Sequence, residues 1–254
     1  MAFSCFALVK LSQFMFNIYT DNSVSNFAFF GSIVGYNFVK YDALARIKKL
    51  EMRNELKLIT LVSFLSFLAT SFYFFQLHKI TQLIGFIFLI LILLYTLPFF
   101  PNKKNARNWS GIKIYIVTLC WVGVTLVLPI IDAELSITSN FYLKCIQRFL
   151  FIFVLILIFE IIDLKMDDPN LQTVPQKIGV KQTKILGIFL LLIFYFLEFL
   201  KSNFIQMQLI VNLILIVIIA FFMLFSNERK SKYYTSFWVE SIPILWWILV
   251  LLFS

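Results

Sequence analysis

The chain has 254 residues and a mass of 29.9 kDa. Hydrophobic residues make up 61% and charged residues 14%, against about 45–50% and about 25% in soluble domains. Too little polar surface remains to cover a soluble globule, which excludes a secreted disulfide scaffold, a soluble nucleotide-binding enzyme and a DNA-binding module. The net charge of +9 is therefore read first as a signal of membrane orientation.

Apolar stretches of about 18 residues or more match the hydrocarbon thickness of a bilayer. In chain order they predict nine spans, at residues 3–20, 23–41, 57–75, 80–98, 112–131, 139–163, 182–200, 204–226 and 236–253. Lys10 interrupts the first, and Lys144 and Arg148 occupy the start of the sixth. The first stretch lacks a charged start and a small-residue cleavage site, so it is read as a span and not a leader. No internal repeat is visible, which disfavours the repeat-built transporter folds. The expected architecture is one all-α polytopic membrane domain covering 1–254.

Lysine and arginine are unevenly shared among the connections. Those after spans 2, 4, 6 and 8 carry 6, 4, 4 and 3, and those after spans 1, 3, 5 and 7 carry 0, 1, 2 and 1. By the positive-inside rule the even connections are cytoplasmic. The N-terminus then lies inside and the C-terminus outside, as an odd number of spans requires. A bacterial inner membrane is the expected location. The basic loops face anionic lipid, so no nucleic-acid partner is implied.

Most features need only packing to explain them. The 32 phenylalanines are apolar filler in lipid, and Gly31 and Gly35 form a small-xxx-small pair suited to close helix contact. Trp109, Trp121, Trp238, Trp246 and Trp247 lie mostly near span ends, as interfacial anchors do. Cys5, Cys120 and Cys145 have no metal-ligand spacing. His78, the single histidine, has no evident partners for a triad or zinc site. Lys10, Gln13 and Asn17 share a helical face and read as a polar stripe or as a lysine that snorkels. Glu198 and Lys201 are spaced to pair. Asp132 and Glu134 read as solvated.

The sharpest chemical feature ends the sixth span: Glu160-Ile-Ile-Asp163-Leu-Lys-Met-Asp167-Asp168-Pro169. Steps of three and four put Glu160, Asp163 and Asp167 on one helical face. They sit at a helix C-terminus, where the macrodipole disfavours each negative charge by roughly 0.3–1 kcal/mol, and they repel one another. Something positive must neutralise them. It is either a divalent cation such as Mg²⁺, which takes carboxylate and phosphate oxygens, or the lysine set Lys165, Lys177, Lys181 and Lys184.

A few residues downstream, Thr173-Val-Pro175-Gln-Lys-Ile-Gly179 leads into the seventh span. The stretch from 160 to 179 resembles the second aspartate motif of the UbiA superfamily of intramembrane prenyltransferases, an acidic run followed by Thr-x-Pro-x-x-x-Gly. Tyr95-Thr-Leu-Pro98 with Lys103 and Lys104 resembles that family's Tyr-Pro-then-basic stretch after its fourth helix. The resemblance is collinear over nearly the whole chain. It implies nine transmembrane helices bundled around a central cavity, with Mg²⁺ held by Glu160, Asp163 and Asp167. It also implies a prenyl diphosphate as donor and a hydrophobic acceptor, aromatic or lipid.

The first aspartate motif departs from the family. Asn-Asp-x-x-Asp-x-x-x-Asp is expected at the end of helix 2, and this chain has Asn37-Phe38-Val39-Lys40-Tyr41-Asp42-Ala-Leu-Ala45-Arg46. Asn37 is kept, but the acidic positions fall on Phe38, Tyr41 and Ala45. Asp42 is one residue out of register, and one helical step turns a side chain by about 100°. Two readings are open. In one, Lys40 replaces a metal ion as a point charge on the diphosphate, helped by Asn37, Arg46, Lys48, Tyr95, Lys103 and Lys104. Catalysis would then rest on Asp163, Asp167 and Lys40, with Tyr36, Tyr95, Phe99 or Tyr115 facing the allylic cation. In the other, ionisation is lost and the fold serves as an isoprenoid-binding or scaffolding protein. No motif specifies acceptor, prenyl length or oligomeric state.

Overall fold

The computed structural model describes residues 1–19, 22–47, 54–97, 111–201 and 206–253. Among them the chain is helical, without a strand. The elements are α1 (Ala2–Met15), α2 (Ser23–Ile47), α3 (Asn54–Phe74), α4 (Lys79–Thr96), α5 (Lys113–Val122), α6 (Leu128–Asp132), α7 (Ser139–Asp163), α8 (Val174–Phe196), α9 (Gln206–Phe225) and α10 (Glu240–Phe253). A π-helical turn, Gly123–Val127, joins α5 to α6, and another, Tyr234–Val239, leads into α10.

Among the described residues, seven helical stretches are long and apolar enough to cross a membrane: Leu56–Phe74, Lys79–Thr96, Lys113–Asp132, Ser139–Asp163, Val174–Leu200, Gln206–Phe225 and Tyr234–Phe253. The protein is an all-α chain with the helices of an integral membrane protein. The 14 residues of α1 make about 21 Å of helix at 1.5 Å per residue, short of a hydrocarbon core about 30 Å thick. Its predicted continuation to residue 20 fails at Asn17, which turns left-handed at φ 53°. Asparagine tolerates that conformation at a helix end, and Ile18 N–H closes the turn on the Gln13 carbonyl at 2.8 Å. Asn17 thus leaves the polar face predicted with Lys10 and Gln13.

Both π turns lie just upstream of a proline. Pro129 has no N–H for the Thr125 carbonyl and its ring crowds that carbonyl. The Ser12 hydroxyl donates to the Thr125 carbonyl instead, at 2.7 Å. Pro243 stands in the same relation to Val239, the last residue of the second π turn.

The chain divides into two compact units, residues 1–106 with 123–135, and 107–122 with 136–254. In the first, α2 packs on α1, α3 and α4, and Leu8, Leu11, Leu126 and Leu128 are fully buried. Gly123 is a point of close approach there: a Cβ would lie 1.8 Å from the Phe88 ring. Gly123→Ala is expected to destabilise the protein by about 1–3 kcal/mol, the usual cost of overpacking. Thermal unfolding in detergent would check it, and an unchanged midpoint would contradict this contact. In the second unit α7 is central, packed by α5, α8, α9 and the second π turn. Phe151, Phe194 and Trp246 form its aromatic heart, with Phe151 and Trp246 centroids 4.8 Å apart.

The seventh predicted span starts earlier than expected. Thr173 N–H donates to Gln176 Oε1 at 2.9 Å, and Pro175 suits a first turn whose N–H is not needed, so the helix begins at Val174. Gly179 then interrupts it at φ 79°, ψ 159°, a conformation open essentially only to glycine. One helical turn is thereby set off at the head of the long helix.

Candidate functional site

The α7–α8 junction brings the three acidic residues together. Asp163 closes α7, and Asp167 N–H still donates to its carbonyl at 3.0 Å, so Asp167 stays near the helical position expected of it. Charge on Asp167 acts on both Glu160 and Asp163. Glu160 is buried, and one of its carboxylate oxygens accepts Val174 N–H at 3.1 Å. The first amides of a helix attract negative charge, so α8 offsets part of what the C-terminus of α7 costs.

The neutralising cation is not one of the four lysines singled out from the sequence. It is Lys113, at the start of α5, whose Nζ lies 3.6 Å from Asp167 Oδ2 and whose charge also acts on Glu160 and Asp163. Lys232, in the turn before α10, acts on Asp163. Lys165 pairs with Glu228 at 3.9 Å, and Lys184 donates to the Leu224 carbonyl at 2.7 Å. Lys113 stands more than 45 residues before the trio in the sequence, with nothing there to link the two. Gly111 makes the approach: at φ 71° its N–H donates to the Leu171 carbonyl at 3.1 Å, tying the head of α5 to the turn after the carboxylates.

One oxygen here, Asp167 Oδ2, is buried without a hydrogen-bond donor, its nearest cation being Lys113. Among the described residues no group of three His, Cys, Asp or Glu side chains is assembled to hold a metal ion. Mg²⁺ usually takes one or two carboxylates and completes its shell with water and substrate phosphate. Asp163 and Asp167, with the undonated Oδ2, suit that mode.

Asn37, Lys40 and Tyr95 are in the first unit. Asn37 Nδ2 donates to Ser63 Oγ of α3 at 2.8 Å. Lys40 lies over the rings of Tyr36 and Tyr41 at 5.2 and 5.4 Å, and donates to the Tyr36 hydroxyl at 3.2 Å. Tyr95 is buried near the end of α4. Arg46 is on α2, with its side chain outside the described residues, and Lys103, Lys104 and Phe99 lie outside them too. Tyr115, on α5 of the second unit, packs on Phe153 at 5.6 Å.

Two further polar clusters gather residues that the sequence showed singly or as one pair. Asp132, expected to be solvated, is buried and accepts His78 N–H at 3.1 Å. His78 Nδ1 lies 3.0 Å from Glu134 Oε1, beside a groove of about 440 Å³ that none of the predicted site residues lines. The second site surrounds Glu198, almost fully buried in the 3₁₀ turn Leu197–Leu200 that ends α8. Lys201 pairs with it as the spacing predicted, and Gln147, Asn212 and Lys144 join from α7 and α9. Burial lowers the Lys201 ammonium below its usual range, against the opposing pull of the Glu198 carboxylate.

No model of a protein family matches the chain, and neither does any curated protein or solved structure.

Proposed function

We propose that the chain is a UbiA-like prenyltransferase, moving an isoprenoid from an allylic prenyl diphosphate to an aromatic or lipid acceptor within the membrane. In this reading α2 and the N-terminal stretch that holds the short α1 join the seven membrane-length helices to make nine spans around a cavity, with the N-terminus cytoplasmic. The observation that carries it is the acidic trio beside Lys113, with Asp167 Oδ2 buried and without a hydrogen-bond donor. Bound Mg²⁺, held by Asp163 and Asp167, would supply charge neutralisation for the departing diphosphate.

The chain's own groups do the rest. Lys113 holds the carboxylates at bearable mutual repulsion and presents an ammonium where diphosphate charge develops, an electrostatic effect that needs no reorganisation. Val174 N–H keeps Glu160 turned toward α8. Lys40 stands in for the lost acidic wall by pairing with the diphosphate directly. The alternative is a non-catalytic isoprenoid-binding or scaffolding protein. It is favoured by the engagement of Asn37 with Ser63 and of Lys40 with two tyrosines, contacts that occupy both residues without substrate.

The test is diphosphate release by the purified protein from farnesyl, geranylgeranyl and longer prenyl diphosphates, with Mg²⁺ or chelator and an acceptor-rich membrane extract. Mg²⁺-dependent release is expected. None from any chain length, with the wild-type protein shown to be folded, establishes the alternative. Lys40→Ala is expected to abolish turnover and leave folding and insertion intact. Full activity in that variant removes Lys40 from the site.

A further inference from the structure

In the first unit the corner between α3 and α4 meets the end of α6, and a groove of about 440 Å³ lies between them. Leu77, Ile80 and Ile131 supply its apolar surface, and His78, Lys79 and Glu134 its polar groups. Sites for small molecules run from about 300 to 1,000 Å³, so there is room for a compact charged group. Both segments are fixed in place. Asp132, itself buried, accepts His78 N–H at 3.1 Å. The amides of Glu134 and Leu135 return to the Ile131 and Ile130 carbonyls at 3.0 and 3.2 Å. They hold Glu134 at φ 52°, a left-handed conformation uncommon for this residue type.

The groove carries charges of both signs. Lys79 is exposed. The Glu134 side chain is 75% exposed and engages His78 Nδ1 through Oε1 at 3.0 Å, which leaves Oε2 for a further donor. A ligand that suits these groups brings an anion for Lys79 and a hydrogen-bonding cation for Glu134.

Its apolar part is indicated by α4. Ile80 leaves the groove at the head of a track of Ile80, Leu83, Ile87 and Ile90, all exposed and spaced by three and four on one helical face. From Ile80 to Ile90 the track runs about 15 Å at 1.5 Å per residue, half of a hydrocarbon core about 30 Å thick. That is the depth of one leaflet, with Lys79 at its polar edge.

We propose that this groove binds phosphatidylethanolamine, with the phosphate on Lys79, the ammonium on Glu134 and an acyl chain along the α4 track. Phosphatidylcholine offers the same phosphate, but its quaternary ammonium has no N–H for the carboxylate. Phosphatidylglycerol has no cation and sets a net negative headgroup against Glu134.

The experiment is native mass spectrometry of the full-length protein, delipidated in detergent and titrated with these three lipids carrying identical acyl chains. Phosphatidylethanolamine is expected to bind about ten-fold more tightly than either of the others, the order of one charge-assisted hydrogen bond. Glu134→Gln should bring it down to the level of phosphatidylcholine, and Lys79→Met should weaken both lipids alike. Equal affinity for the three lipids, or tighter binding of another, overturns the site. So does a preference for phosphatidylethanolamine that survives unchanged in Glu134→Gln. Should that variant fail to fold, Lys79→Met decides alone, and undiminished phosphatidylethanolamine binding in it overturns the site.

Discussion

Asp163→Asn and Asp167→Asn should each lower Mg²⁺-dependent diphosphate release by about 10²–10³-fold, the range observed when one charge-stabilising group is removed from a preorganised site. Asparagine keeps the shape and a hydrogen-bonding oxygen but cannot supply the negative charge that a divalent cation requires. The loss should fall mainly on kcat, since the cation acts most strongly on charge that develops as the diphosphate leaves. Asp168→Asn is the control. Its side chain is exposed, and its backbone carbonyl, which accepts from Gln176 and Leu171, is untouched by the change. Equal activity in all three variants would remove the acidic run from the chemistry.

Lys113→Met should act in the opposite direction on the metal. Without the ammonium, Glu160, Asp163 and Asp167 face one another at a helix C-terminus with Lys232 and the Val174 amide in compensation. The expected cost lies between that of an exposed ion pair, about 1 kcal/mol, and that of breaking a buried one, about 3–5 kcal/mol, because Lys113 and Asp167 are mostly but not fully covered. Divalent cation should bind more tightly and restore most of the lost stability, while turnover falls. Unfolding midpoints measured with Mg²⁺ and with chelator give the answer. Equal destabilisation in both media would mean that Lys113 is a packing residue and that the carboxylates do not hold a cation.

These variants separate roles that spacing alone merges. The step pattern at 160, 163 and 167 was enough to place three carboxylates on one face, because helix geometry is local. The partner that balances them was not legible, since Lys113 reaches them only through the turn at Gly111 and the packing of α5 on α7. Of the lysines nearer in sequence, Lys165 serves Glu228 and Lys184 serves the Leu224 carbonyl.

Membrane character, helical class and the limits of most apolar helices were determined by the sequence itself. Bilayer thickness demands long apolar runs, and such runs announce themselves in composition and length. The exceptions are informative. Asn17 ends α1 early by a backbone turn, and Thr173 with Pro175 starts α8 early by meeting orphan helix donors, both through local chemistry that an apolar-length criterion does not register. Only the tertiary structure decided how charge is balanced. The cluster of Lys144, Gln147, Glu198, Lys201 and Asn212 draws on residues up to 68 positions apart, which in sequence read as interruptions of a span or as a lone pair. Buried charges must find partners wherever the helices bring them together, and that meeting is a property of packing, not of any one segment.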